Sequence, residues 1–183
     1  MSYCATQQDV LLRKLMEYYR EPGRLDRMLA IINGESNISL RIVDWFATNY
    51  AKKNFTVYSL TDGSRFKVYE EYKNRLRAYS KKKFDPFCRW DRITVPYKDG
   101  ARVQTTIGQL NFFRWAFENN IIEYIEEHRS EIDQDMNRRN STSRRSRAES
   151  SSGQKTRKKR EELSVSATKS IVKEEVKVVV SFS

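Results

Sequence analysis

Cysteine is close to absent: Cys4 and Cys88 are the only two in 183 residues, and no short spacing relates them. That excludes a disulfide framework and predicts a reducing compartment. One histidine, His128, with two distant cysteines cannot assemble a conventional structural zinc site. Glycine occurs six times, at positions 23, 34, 63, 100, 108 and 153, never in the cluster that a phosphate-binding loop or a dinucleotide fingerprint requires. Long apolar runs are missing too. None reaches the roughly 20 residues of a membrane span, and the opening MSYCATQQDVLLRK lacks the apolar centre of a signal peptide. The expectation is a soluble intracellular protein with no metal and no cofactor. A Cys88–His128 dyad is the one nucleophile–base pairing left to weigh. Cys88 sits among aromatics and His128 continues an apolar helical stripe, so both read as structural and the chain as non-enzymatic.

What is abundant is positive charge, unevenly placed. The net charge is +11. Residues 1–50 carry six basic and six acidic groups, balancing to zero. Residues 51–98 carry thirteen basic and five acidic, giving +8; residues 99–136 carry three and eight, giving −5; residues 137–183 carry thirteen and five, again +8. Two basic blocks therefore flank an acidic one, and polyanions are their natural partners.

Along the chain, Thr6 with Asp9 has helix-start spacing, and Leu11, Leu12, Leu15, Met16 and Tyr19 follow at helical period. Glu21-Pro22-Gly23 ends that helix. A second carries Leu25, Met28, Leu29 and Ile32 up to Asn33-Gly34, and Ser39 caps a third with Leu40, Val43, Phe46, Ala47 and Tyr50 on one stripe. FTVYSL alternates as a strand and TDGS is a turn. From Tyr69 the period is helical, with Tyr72, Leu76 and Tyr79 aligned and Lys81, Lys82 and Lys83 at the helix end. Pro86 makes Phe84–Trp90 a non-helical aromatic corner. Arg92 to Tyr97 and Ala101 to Gln104, joined by Lys98-Asp99-Gly100, form a hairpin. Thr106 and Gln109 open a last amphipathic stretch that Asn119-Asn120 divides, with Glu118, Glu123, Glu126, Glu127, Glu131, Asp133 and Asp135 on its solvated side. Beyond Asn137 the chain is rich in Ser, Arg and Lys without apolar period.

The fold class is therefore α+β: a mostly helical single domain over residues 1–136 with one or two small β-hairpins. A disordered basic linker (137–162) and a short strand-prone segment (163–183) follow it, the latter with Val176, Val178, Val180 and Phe182 on one face. Phosphate contact needs an array of cations. On the folded part the candidates are Lys73, Arg75, Arg77, Lys81, Lys82, Lys83, Arg89 and Arg92. On the arm they are Arg138, Arg139, Arg144, Arg145, Arg147, Lys155, Arg157, Lys158, Lys159 and Arg160. No base-reading module is evident, so binding would be backbone-directed. Ser141, Ser143, Ser146 and Ser150 to Ser152 are candidate phosphorylation sites that would lower the arm's charge.

The strings IINGESNISLRIVDWFATNYAKKN, KKKFDPFCRWDRI, TTIGQLNFFRWAFENNIIEYI, DMNRRNSTSRR, and RKKREELSVSATKSI with VKVVVSF occur together here. They resemble a small uncharacterised family encoded by nucleocytoplasmic large DNA viruses, iridoviruses and their giant-virus relatives, over nearly the whole chain. The resemblance implies a viral protein acting in an infected host cell, in a cytoplasmic virus factory, a nucleus or a virion. It also turns RKKREELSVSA into a recognition segment. The functional expectation is a nucleic-acid-associated accessory protein, DNA foremost, serving genome organisation, packaging or late gene expression. The alternative is a structural or scaffolding virion component that contacts other viral proteins.

Overall fold

The computed structural model describes residues 6–88 and 91–149. Helix α1 (Gln7–Tyr18) starts where the sequence predicts: the Thr6 hydroxyl accepts from Asp9 N–H while the Asp9 carboxylate accepts from Thr6 N–H, a complete capping box. Helix α2 (Arg24–Asn33) ends at Gly34, whose φ of 76° is the left-handed conformation that closes a helix and that lacks a penalty only for glycine. Ser39 caps α3 (Leu40–Trp45) through Ile42 N–H at 3.3 Å. A π-helical turn, Phe46–Tyr50, then carries the chain into α4 (Ala51–Asn54). There the Thr48 hydroxyl donates to the Asp44 carbonyl at 2.7 Å, satisfying an acceptor in the widened turn.

Strands β1 (Val57–Ser59) and β2 (Arg65–Lys67) pair antiparallel, Tyr58 opposite Phe66, and lead into α5 (Val68–Phe84). A second, separate hairpin joins β3 (Arg92–Pro96) to β4 (Arg102–Thr106), with Val95 opposite Val103 and both buried. Helices α6 (Ile107–Glu118), α7 (Ile121–Glu127) and α8 (Arg129–Glu149) complete the fold. Asn120, left-handed at φ 53°, makes the expected division between α6 and α7. The molecule is mostly helical with two small antiparallel hairpins.

Helix α6 is the centre. Ile107, Leu110, Asn111, Phe112, Phe113, Trp115 and Ala116 are all buried, so neighbours cover it on nearly every side. Around Trp115 the rings of Phe66, Tyr72, Phe84 and Phe112 lie 5.5 to 6.2 Å away, centre to centre. Burying each such ring contributes on the order of 2–3 kcal/mol. The Tyr19 hydroxyl donates to Leu110 O at 2.8 Å and ties α1 to this helix. Helix α5 lies closest at its far end: a β-carbon on Gly108 would stand 2.7 Å from Asp85 O and 3.2 Å from Lys82 O. Only glycine admits that approach, and Asn111 exploits it by donating to Lys83 O at 2.9 Å.

Two expectations change. Helix α5 is interrupted at Ser80, whose φ of 62° and ψ of 167° lie in a region almost confined to glycine. The turn Lys81–Phe84 thus points its own way, delivering the fully buried Phe84 into the ring cluster. Helix α8 also continues to Glu149, so the backbone of 137–149 is helical where the sequence predicts disorder. The first turns of α8 are docked through Ile132 and Met136, and extending a docked helix needs no new nucleus. The strand expected within 163–183 lies outside the described residues, as does the rest of the linker beyond 149.

Candidate nucleic-acid interface

Ser80 divides the α5 cations into two groups. Lys73, Arg75 and Arg77 are exposed before it; Lys81 and Lys82 are exposed and Lys83 half-buried after it. Arg92 is exposed at the start of β3, and Arg89 lies outside the described residues. Among the described residues, Lys73, Arg75, Arg77, Lys81, Lys83 and Arg92 have no carboxylate partner. Lys82 approaches Asp91 only to 4.0 Å, a solvent-exposed pair of little energetic weight. The aromatic stripe beneath is core: Tyr72 is buried and Tyr69, Leu76 and Tyr79 are partly so.

A further cation, absent from the expected set, belongs to this face. Lys52 on α4 places its Nζ 5.6 Å from the centre of the Tyr69 ring, and Lys73 places its own at 5.7 Å. Both are within cation–π range. The Tyr69–Lys73 spacing was visible as a helical neighbour pair. Lys52 joins only through the packing of α4 on α5, which no local pattern signals.

The cations at the start of the arm behave differently. Arg138 and Arg139 reach Asp135 at 3.4 and 3.6 Å, and Lys53 reaches it at 2.9 Å. Trp45 Nε1 donates to the same carboxylate at 3.3 Å. Asp135 is therefore a buried hub, with a side chain 6% exposed, and not part of a solvated acidic face. Burial pushes its carboxyl up, but the Lys53 and Trp45 hydrogen bonds and the Lys53 and Arg139 charges hold it below the ordinary carboxylate range. Beside it opens a cleft of about 290 Å³ whose lining mixes Lys53 and Arg138 with Glu131 and Asp135, too balanced in sign to collect an anion. Arg144, Arg145 and Arg147 lie on the α8 backbone. Lys155, Arg157, Lys158, Lys159 and Arg160 lie outside the described residues.

The rest of the acidic block is partly neutralised: Glu123 by Arg27 at 2.8 Å, Glu118 by Arg114 at 2.8 Å, and Asp133 by Arg129 at 3.6 Å. Glu126 and Glu127 are exposed. Asp44 is the outlier. Burial, with the charge of nearby Asp85, pushes its carboxyl up to about 7. Cys88 sits in the turn after α5, its N–H on Asp85 O at 3.1 Å. His128 stacks on Tyr124 at 4.1 Å and directs Nδ1 at that residue's carbonyl, 3.0 Å away. Among the described residues no three His, Cys, Asp or Glu side chains converge as metal ligands would. No described helix is long and apolar enough to cross a membrane.

Residues 2–182 match a protein family of unknown function, DUF7197. The chain belongs to that family. Over 117 residues it is 50% identical to "Uncharacterized protein L507" of Acanthamoeba polyphaga mimivirus, a match covering 60% of this chain and 45% of that protein. The chain thus spans less than half the length of this relative. No solved structure matches. A giant-virus relative fits the viral setting that the sequence implies.

For this DUF7197 member, then, cations with no carboxylate partner among the described residues lie along α5 and at Lys52 on α4, and the arginines in the middle of α8 are already engaged. Chemically, the first arrangement can exchange small counterions for a polyanion; the second must first give up its ion pairs.

Proposed function

We propose that this protein is a non-enzymatic viral accessory protein that associates with nucleic acid through its basic surfaces in an infected cell. The observation that supports this most is the run of cations along α5: Lys73, Arg75, Arg77, Lys81 and Lys83 have no carboxylate partner among the described residues. Holding that many like charges on one short element raises self-repulsion unless an anion relieves it. Contacts would go to phosphates, with DNA the expected polyanion and genome organisation, packaging or late gene expression the setting. The measurement is the affinity of the full chain for duplex DNA across a salt series. It falls by on the order of 10³ between 50 and 200 mM salt if six or more phosphates are engaged. Affinity indifferent to salt, or no binding at low salt, overturns the reading.

A further inference from the structure

Phe55 is the most exposed large apolar side chain among the described residues, at 85%. It also occupies a left-handed backbone position, φ 48° and ψ 45°, as the last link of α4. Both features are unfavourable. A β-carbon is strained there, which is why such caps are usually glycine or asparagine, and a phenyl ring left in water forgoes the gain of burial. Nothing in the cap calls for a ring: it is closed by the N–H groups of Phe55 and Thr56 on Ala51 O, which glycine would close equally well.

The surroundings give the ring a use. Val68 N–H donates to Thr56 O at 3.3 Å, so Phe55 sits beside the start of α5. Next along that helix is Tyr69, with the ammonium groups of Lys52 and Lys73 on its ring. Val57, half exposed, opens β1 two residues on. An exposed ring flanked by lysines is the pairing that single strands require, since their bases are open for stacking while their phosphates seek cations. A duplex keeps its bases stacked and offers phosphates alone.

We propose that Phe55 is a base-stacking platform and that, with Lys52, Tyr69 and Lys73, it makes this end of the basic face a site for single-stranded nucleic acid. The proposal rests on the nucleic-acid reading above and narrows its ligand. The test uses the full chain, with Phe55→Gly, which preserves the cap, and Phe55→Leu, which keeps apolarity but removes the ring. Binding is measured by fluorescence anisotropy to an oligothymidylate and an oligouridylate of about 15 nucleotides and to a duplex of equal phosphate number. Single-strand affinity falls about tenfold in both variants, the size of one lost stacking contact. Duplex affinity and the salt slope stay unchanged because no phosphate contact is removed, and Phe55→Gly unfolds at no lower temperature than the parent. The two oligonucleotides separate a DNA from an RNA preference. If the parent binds with normal salt dependence and neither variant loses single-strand affinity, the stacking assignment is wrong while the polyanion reading stands; a Phe55 that docks on a protein gives this result. If the parent binds no nucleic acid at low salt, both fall together.

Discussion

Helix α5 and the part of α8 from Asn137 onward belong to stretches of equal formal charge, yet they offer it differently. Along α5, most cations have no carboxylate partner among the described residues, and the nearby half-buried acids, Asp44 and Asp85, pair with none of them there. At α8, one buried carboxylate gathers Lys53, Arg138 and Arg139. The difference is set by what else holds the acid: Trp45 and Lys53 fix the buried Asp135 carboxylate, whereas Glu70 and Glu71, at the same spacings of three and four before Lys73 and Arg75, lack such a buried anchor among the described residues. Asp135 lies one turn before Arg138 and Arg139 on the same helix, at spacings of three and four that bring side chains together. The acids preceding the α5 lysines, Glu70 and Glu71, stand in its first turn, where they complement the helix dipole. Glu70 is taken by Lys67 at 3.2 Å. Charge counted along a sequence is thus an upper limit on charge available to a ligand.

The most damaging substitution should be Asp135→Asn. It keeps one acceptor for Trp45 but removes the charge that three cations share. Those cations are 38 to 69% exposed and can return to water, so the loss should fall below the 3–5 kcal/mol of a fully buried pair, at about 2 kcal/mol. The Asp135 carboxyl is depressed below its ordinary 3.8 in the folded chain, so its stabilisation is present above that pH and fades as pH falls through the depressed value. Urea unfolding at pH 7 and at pH 3 measures this: the variant and the parent should differ at the first, and the gap should narrow at the second. Affinity for DNA should hold or rise, because Asp135 no longer neutralises Arg138 and Arg139. A variant as stable as the parent at pH 7 would remove the hub from the description of α8.

The comparison itself is tested by removing two charges from each side. Lys73→Ala with Arg77→Ala should lower DNA affinity about tenfold at moderate salt and reduce the log–log salt slope by about two. Arg138→Ala with Arg139→Ala removes the same formal charge but only groups already neutralised locally, so affinity should change by less than about threefold, with a stability loss of about 1 kcal/mol. Equal losses of affinity from the two pairs would show that the ion pairs with Asp135 do not withhold those arginines.

How much of this was legible in the sequence follows from the range of the interactions involved. The Thr6 box, the Gly34 stop, the Ser39 cap and the Asn120 division are settled within a few residues, and each lies where the local pattern puts it. The core role of Tyr72 and Phe84 was readable from helical period and from the corner at Pro86. The break at Ser80 was not, because the contact of the turn that follows it with Gly108 and Asn111 is made about 30 residues further on, where no local pattern signals it. Asp135 was misplaced for the same reason: on its own helix it is one acid among several, and only Trp45 and Lys53, far back in the chain, make it a buried hub. Lys52 joins the basic face, and Phe55 stands outside the strand that FTVYSL predicts, through packing that alternation cannot express.

The smallest effect concerns Asp44, the counterpart of Asp135 on the α5 side. It is flanked by Asp85 and Tyr72, and among the described residues no side chain donates to its carboxylate. Burial and then the Asp85 charge raise it to about 7 from an ordinary 3.8. An acid raised on folding stabilises the fold while protonated; that contribution is complete below pH 3.8 and is lost as pH rises through about 7. At pH 8 Asp44 is a half-buried carboxylate with no cation partner among the described residues, and Asp44→Asn, which mimics the protonated form, should be more stable there by about 1 kcal/mol. Near pH 4 the two should unfold alike. Thermal unfolding of both proteins at pH 4, 6 and 8 measures the difference, and parallel profiles across that range would mean that Asp44 finds a compensating partner. If the gap opens with pH as described, the two sides of the molecule differ in their acids as well as in their exposed cations: Asp135 is held charged by its lysine and arginines, and Asp44 is raised by burial and by the Asp85 charge.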